Sequence, residues 1–144
     1  MSGLGAIRVV LDTNVVFEGL TRRGGSRGLL VDAWLAGLID VFLSDALAYE
    51  YVDVLSRKLG KHKWNQARIV LATLMSTATF VSIHFTWRPA SPDPADDQVV
   101  DCAMNANAAV VTRNRKDFRQ PQAQLGLIVI SLPQLVTLLA RENR

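Results

Sequence analysis

Acidic residues at four separated places in the chain have a spacing that favours one shared site. Asp12 directly follows Val9–Leu11, an apolar, β-branched run typical of a buried parallel strand. Open α/β sheets bind their ligands at the edge formed by the carboxyl ends of such strands. Asp12 is therefore a candidate for chemistry, although a residue here can also turn the chain or cap the next helix.

The second acid is selected by helical geometry. A helix is predicted to begin after Ser44 and to end near Leu59 and Gly60, with one apolar stripe along its length. Glu50 lies on the flank of this stripe, whereas Asp53 lies further out. Glu50 is thus expected to face the sheet edge, the alternative being a partly exposed acid that reaches into water.

The third acid comes from a helix predicted over about Asp96 to Ala106. Three apolar residues follow Asp96 at i+3, i+4 and i+7, so Asp96 lies on the buried stripe, while Asp97 and Asp101 turn to the other side. Asp96 or Asp97 could simply cap the helix. A buried carboxylate, however, needs a cation or hydrogen-bond donors, and no nearby basic residue shares the stripe. A bound metal ion is the partner that this pattern favours.

The fourth place follows the predicted strand Ala109–Thr112. Asn114 can supply a neutral oxygen ligand or hold a water, and Asp117 can add charge, although both are also ordinary turn residues. Carboxylates that converge at one edge repel each other unless a divalent cation neutralises them. Oxygen ligands of this kind select Mg²⁺ or Mn²⁺.

Other metals and several protein classes are excluded by composition. Cys102 is the only cysteine, so the chain has no internal disulfide and no thiolate metal site is expected, and His62 and His84 are too far apart to suggest zinc. No apolar run is long enough for a membrane span, and the N-terminus lacks a signal-peptide pattern. We therefore expect a cytoplasmic protein with no membrane contact, folded as a single domain over residues 1–144.

Predicted strands and helices alternate along the chain, which favours a parallel sheet with helices on both faces. Beyond the strands named above, strands are predicted at Val41–Leu43, Thr79–Ile83 and Leu127–Ile130. Residues 19–28 are rich in glycine and are predicted to form a flexible loop. A helix to about Gly37 follows, with Leu29 on its buried face, and a further helix over Asn65–Ala78 has Ile69 in its buried stripe.

The net charge is only +3, but the basic residues are grouped. Twelve of the sixteen fall in three short segments, which comprise Arg22, Arg23 and Arg27; Arg57, Lys58, Lys61, Lys63 and Arg68; and Arg113, Arg115, Lys116 and Arg119. Any one such group is typically a solvated face. Three groups near the ends of predicted strands favour a polyanionic partner, above all nucleic acid.

Taken in order, these segments resemble a PIN-domain ribonuclease of the compact bacterial kind, the VapC toxins of toxin–antitoxin pairs. The matching segments are VVLDTNVV at 9–16, LSDALAYEYVDVLSR at 43–57, DPADDQVVDCA at 93–103 and VVTRNRKDF at 110–118. The resemblance implies a three-layer α/β/α sandwich with a mostly parallel sheet of about five strands. It also implies a Mg²⁺- or Mn²⁺-dependent endoribonuclease, a homodimer, and inhibition by a protein antitoxin.

The resemblance also assigns roles to residues. It places the family's first acid on Asp12, with Asn14 in support, and its second on Glu50. The third falls in the pair Asp96 and Asp97, of which the helical phase favours Asp96.

The family's fourth acid usually stands where this chain has Asn114, so either Asn114 or Asp117 completes the site. Thr112 and Arg113 are expected to support the substrate.

Two further functions compete with the ribonuclease. An RNA-binding module with a degenerate acidic site is favoured by Asn114, which stands where the family has an acid. A phosphatase with paired aspartates is excluded, because Asn14 occupies the place of the second aspartate. The RNA target and the number of metal ions stay open.

Overall fold

The computed structural model describes residues 6–22, 25–88 and 93–142. Its centre is a five-stranded, all-parallel sheet with the strand order β3-β2-β1-β4-β5. The strands are β1 (Ile7–Leu11), β2 (Ile39–Leu43), β3 (Thr79–Phe80), β4 (Ala109–Thr112) and β5 (Val129–Ser131). The predicted α/β/α architecture with about five parallel strands is confirmed.

Seven α-helices flank the sheet in the described part of the chain. They are α1 (Thr13–Thr21), α2 (Gly25–Leu35), α3 (Asp45–Lys58), α4 (Lys61–Ser76), α5 (Pro94–Ala106), α6 (Arg119–Leu125) and α7 (Leu132–Glu142), and a 3₁₀ turn at Arg115–Phe118 precedes α6. No helix of this part combines the length and the apolar character that a membrane span requires.

The core lies on both faces of β1 and β4, whose apolar residues are almost completely buried. Val9, Val10, Leu11, Val110 and Val111 are each 0% exposed. Strands that are covered on both faces have continuous apolar sequences, and for this reason they can be predicted from the sequence. β4 ends on the polar Thr112, and Asp12 directly follows β1 at the same edge of the sheet.

The predicted loop over residues 19–28 is wrong. Helix α1 continues to Thr21 and α2 begins at Gly25, and residues 23 and 24 of this segment lie outside the described residues. Gly19 is buried within α1, as are Val15 and Val16. Burial of the apolar face of α1 outweighs the poor helix propensity of a single glycine.

Two residues that were predicted to be buried are exposed. Leu29 on α2 is 51% exposed and Ile69 on α4 is 61% exposed, although neighbours in the same predicted stripes, such as Leu30 and Leu71, are buried. Hydrophobic periodicity alone places a stripe only approximately, because packing contacts decide its centre. The exposed Leu29 lines a groove between α1, α2 and α4.

Candidate functional site

Asp12 lies at the carboxyl end of β1 and is 7% exposed. Its backbone N–H donates to the carbonyl of Val111 at 3.0 Å, which continues the pairing of β1 with β4. The hydroxyl of Thr112 donates to Asp12 Oδ2 at 2.9 Å. Asp12 occupies the N-cap position of α1 but makes no side-chain capping bond. Its carboxylate therefore faces the end of β4 rather than serving the helix.

The sheet order places this pair of residues at a reversal in the chain's path. Strands β1, β2 and β3 follow one another toward one edge of the sheet, and the chain then crosses back to place β4 on the other side of β1. A crevice forms at such a switch point, outside the carboxyl ends of the two strands. Asp12 and Thr112 are the first residues at this crevice.

Glu50 reaches the same region from α3. The helix begins after Ser44, whose hydroxyl accepts from the backbone N–H of Leu47 at 3.1 Å. Glu50 is half-buried, and the hydroxyl of Thr13 donates to its Oε2 at 2.7 Å. The next residue, Tyr51, is buried and donates its hydroxyl to the carbonyl of Leu11. Two hydrogen bonds thus hold α3 against the residues on either side of Asp12.

Asp96 approaches from α5 and is 9% exposed. The predicted helical phase is confirmed, because Val99, Val100 and Ala103 on the same stripe are buried. Burial, followed by the nearby negative charges of Asp12 and Asp93, raises the pKa of Asp96 to about 7. At neutral pH this carboxyl group is therefore about half protonated in the absence of a cation.

The acids influence one another electrostatically. Burial raises the pKa of Asp12 despite the hydrogen bonds from Thr112 and from the backbone of Thr13, and the charges of Asp117 and Asp93 raise it further. The pKa of Glu50 is also raised, first by burial and then by Asp12 and Asp93, against the hydrogen bond from Thr13. These carboxylates therefore lie close enough together to repel.

Asp93 is a residue of this group that the sequence analysis did not select as a site residue. It is exposed and directly precedes Pro94, the first residue of α5, and its carbonyl accepts from the N–H of Asp96 at 3.0 Å. The signal was available, since an acid just before a proline at a helix start is a typical N-terminal pattern. Its charge acts on Asp12, Glu50 and Asp96.

Asp97 and Asp101 turn to the other side of α5, as predicted, but they are buried there against a cation. Arg88 donates from Nη1 to Asp101 Oδ1 at 2.9 Å and from Nη2 to Asp101 Oδ2 at 2.7 Å. Its Nε lies 3.4 Å from Asp97 Oδ2. The structure therefore gives Asp97 an arginine partner and leaves Asp96 with the acids.

The segment after β4 carries the last predicted site residues. Asn114 is exposed, and its backbone N–H donates to Thr112 Oγ1 at 3.1 Å. Asp117 is half-buried, and its charge acts on both Asp12 and Asp96. Arg113 forms an ion pair with the buried Glu18 of α1. Of the two candidates for the fourth position, Asp117 is the one whose charge acts on the other acids.

Asn14 is exposed on the first turn of α1, and its side chain makes no hydrogen bond to another described residue. The family resemblance implied that Asn14 supports Asp12. The structure puts it beside that acid in the chain, and the supporting hydroxyl groups come instead from Thr13 and Thr112.

The donor set fits a hard divalent cation in its chemistry. Within the described residues, no three His, Cys, Asp or Glu side chains lie close enough together to hold a metal ion as they stand. The acids are nevertheless all oxygen donors, and Asp12 and Asp96 are buried without an ion pair to any described residue. Mutual repulsion of buried carboxylates is relieved when a cation with oxygen preference binds between them.

An α/β/α fold with carboxylates at the switch point of a parallel sheet defines a class of protein that binds its ligand at this edge. The sequence narrows the class further, because residues 8–116 match the family model of the PIN domain. The chain belongs to the PIN-domain family. Comparison with curated proteins gives no significant match.

Solved structures share this fold at low sequence identity. VapBC2 from Rickettsia felis, bound to a DNA fragment from its promoter, is 17% identical with a TM-score of 0.64 over 87% of this chain and 98% of that one. PAE2754 from Pyrobaculum aerophilum is 16% identical with a TM-score of 0.60, covering 96% and 94%. FitAcB from Neisseria gonorrhoeae is 21% identical with a TM-score of 0.58, covering 86% and 97%.

Proposed function

We propose that the protein is a metal-dependent endoribonuclease that hydrolyses phosphodiester bonds in single-stranded or structured RNA. The observation that carries the proposal is the placement of Asp12 and Asp96. Both carboxylates are buried at the switch point of the sheet, and neither has a cationic partner among the described residues. Membership of the PIN-domain family supports nuclease chemistry at this edge.

In this proposal Asp12 and Asp96 hold Mg²⁺ or Mn²⁺, and Glu50 and Asp117 complete the acidic group. Thr112 fixes one oxygen of Asp12, and Thr13 fixes one oxygen of Glu50. When bound, the cation supplies positive charge that activates water and stabilises an in-line displacement at phosphorus.

Glu50, Asp96 and two asparagines have separate roles in the proposed hydrolysis. Glu50 is only half-buried and keeps one oxygen free of the Thr13 hydroxyl, so it can orient the attacking water. Asp96, whose pKa without a metal is about 7, would lose the proton that it partly holds if a cation bound beside it. Asn114 and Asn14, both exposed at the edge, are placed to contact the substrate.

Cleavage of a panel of RNAs by the purified protein tests the proposal, with Mn²⁺ titrated and then removed by a chelator. The expected result is saturable, metal-dependent cleavage that is abolished by Asp12→Asn. Because asparagine keeps the shape of the side chain, the Thr112 hydroxyl retains an oxygen partner. Cleavage that persists in Asp12→Asn would show that a contaminating nuclease is responsible.

A second function is favoured by Asn114, an amide where the family's fourth acid is expected. An RNA-binding module with a degenerate site would bind RNA but neither cleave it nor take up Mn²⁺. Calorimetric titration separates the two functions, since the nuclease requires a saturable Mn²⁺ site that Asp12→Ala or Asp96→Ala removes. Binding of RNA without metal uptake would establish the second function.

We also propose that a protein antitoxin and a second copy of this chain are its partners. A cavity of about 1010 Å³ between α1, α2 and α4 lies away from the acids and is lined by Phe17, Leu20, Leu29, Leu35 and Val70. Leu29 and Leu35 are about half exposed there, so the groove can receive an apolar segment of a partner. FitAB, which shares the fold at 19% identity, is described as bound to a DNA fragment.

The product of a small reading frame adjacent to this one is the antitoxin to test, by co-expression and light scattering. Leu29→Asp is expected to abolish the complex. Ile128→Asp is the matched control, since Ile128 is 63% exposed and does not line the groove. Equal loss of the complex in both variants would exclude the groove, and light scattering of the chain alone reports whether it is a dimer.

A further inference from the structure

A second cavity lies beside the acidic group, at the same edge of the sheet. It has a volume of about 430 Å³ and is formed by the segment after β4, the start of α6 and the end of β5. Four of its lining residues are basic, namely Arg113, Arg115, Lys116 and Arg119. Among the described residues that line it, none is acidic.

The positive charge of this basic cavity is only partly compensated. Arg113 is paired with Glu18, and Arg115 donates from Nη1 to Gln134 Oε1 at 3.2 Å. Lys116 and Arg119 are exposed and make no ion pair or hydrogen bond to a described residue. Two cations are therefore available to an anionic ligand, which must come from outside the described part of the chain.

One short segment joins the basic cavity to the acids. The 3₁₀ turn Arg115–Phe118 carries Arg115 and Lys116, which line the cavity, and Asp117, whose charge acts on Asp12 and Asp96. Asn114 precedes the turn and also lines the cavity, while its N–H is bound to the hydroxyl of Thr112. The cavity is thus a direct neighbour of the acidic group.

We infer that the basic cavity is a phosphate subsite for the RNA backbone, and that it binds a phosphate next to the one that is cleaved. This inference rests on the proposed function, since it takes the acids as the place of cleavage. Exposed lysine and arginine side chains bind phosphate oxygens independently of the base sequence, so the subsite fixes the register of the strand. Only a substrate that extends at least one phosphate beyond the scissile bond can therefore use the subsite.

Binding of a fluorescein-labelled single-stranded RNA of mixed sequence tests the subsite in the Asp12→Asn background, where cleavage does not interfere. Arg119→Gln is expected to weaken binding about tenfold, as for the loss of one charged hydrogen bond. The slope of log K against log salt should fall by about 0.7, the value for one phosphate contact on a single strand.

Arg141→Gln is the matched control. Arg141 is an exposed arginine near the end of α7, it lies outside the basic cavity, and it has no ion pair or hydrogen bond to a described residue. Its replacement removes the same charge and should leave both the affinity and the salt slope unchanged. Equal weakening by Arg119→Gln and Arg141→Gln would overturn the subsite, because only the overall charge would then matter. An unchanged affinity in Arg119→Gln would overturn it as well.

Substrate length gives an independent test in the active protein. A dinucleotide with a single phosphodiester cannot place a second phosphate over the cavity. Lys116→Gln combined with Arg119→Gln should lower kcat/KM at least about tenfold for a longer RNA and leave that of the dinucleotide unchanged. A parallel fall for both substrates contradicts the subsite. If the wild-type protein cleaves no RNA, the proposed function fails, while the binding experiment still decides the fate of the subsite.

Discussion

Helix α5 carries three buried aspartates, and the charged residues around them differ between the two sides of the helix. Asp97 and Asp101 are 8% and 3% exposed and share Arg88, whereas Asp96 is 9% exposed and faces other acids. The three are almost equally buried, so burial does not distinguish them. What differs is the presence of a cation, which stabilises the first two, whereas no described cation pairs with the third. A buried carboxylate that lacks its cation is the better indication of function.

The arginine side of α5 is itself held in place by a polar side chain. Asn105 accepts from the backbone N–H of His84 and donates to the carbonyl of Phe85, both at 3.0 Å. These bonds hold the extended segment that leads to Arg88 against α5. The arginine is thus held next to Asp97 and Asp101, and in the described part of the chain no element presents a cation to Asp96 in the same way.

The sharpest test of this comparison replaces two neighbouring acids by the same residue. Asp96→Asn should lower the cleavage rate more than about a hundredfold, since even residues that only support a metal ligand cost ~10–100-fold when replaced. At pH 8 and without metal, it should also raise the free energy of unfolding by about 1 kcal/mol, because an uncompensated charge is removed.

Asp97→Asn should show the opposite pattern, with cleavage largely retained and stability reduced. Activity assays and urea denaturation of the two variants measure both effects. If Asp97→Asn were the inactive variant, Asp97 and not Asp96 would be the third acid of the site.

A second test removes the cation from the arginine side. Arg88→Met should lower the free energy of unfolding by about 2 kcal/mol, because it leaves Asp97 and Asp101 buried without compensation. The effect is below the ~3–5 kcal/mol of a fully buried pair, since the Arg88 side chain is 43% exposed.

Urea denaturation measures this change, and the triple replacement with Asp97→Asn and Asp101→Asn should recover part of it. A variant as stable as the wild type would show that the two aspartates do not need their cation.

The last test varies the pH. Asp96 has a pKa of about 7 in the folded protein against an ordinary value of 3.8, so the folded state binds the proton more tightly than the unfolded chain. In metal-free buffer, the free energy of unfolding contributed by this group should therefore fall as pH rises from about 4 to about 7 and level off above.

Saturating Mn²⁺ should reverse the decline near neutral pH by binding the folded state alone. Thermal unfolding over this pH range measures both effects, and Asp96→Asn should flatten the profile. A wild-type profile that rises through this range in the absence of metal would contradict the assignment of a raised pKa to Asp96.

The parts of the fold that the sequence predicts are those in which local pattern and packing agree. Val9–Leu11 and residues 109–111 are apolar because both faces are covered, and the Ser44 cap marks the start of α3 directly. Helix α1 was missed because Gly19 and its polar neighbours suggest a loop, whereas contacts with distant elements stabilise the helix. Helix α6 was not predicted either, and it ends at Leu125, before Gly126, which has the positive φ of 70° that favours glycine.

In the candidate site, helical phase separates Asp96 from Asp97 without any structure. The partner of Asp97 could not be predicted, because Arg88 precedes the helix across a proline-rich stretch and periodicity says nothing about such contacts. The same holds for Arg113 and Glu18, which are brought together only by the pairing of β1 with β4. The relative orientation of residues within one helix can be predicted from the sequence, whereas contacts between residues of different elements cannot.

The parallel pairing of β1 with β4 joins Asp12 to Thr112, which lies a hundred residues later in the chain. Because a protein is synthesised from its N-terminus, Asp12 and Glu50 leave the ribosome before Asp96, Thr112 and Asp117. A nascent or truncated chain that stops before Asp96 carries only half of the acids. The chain therefore completes its candidate site only when most of it has been synthesised.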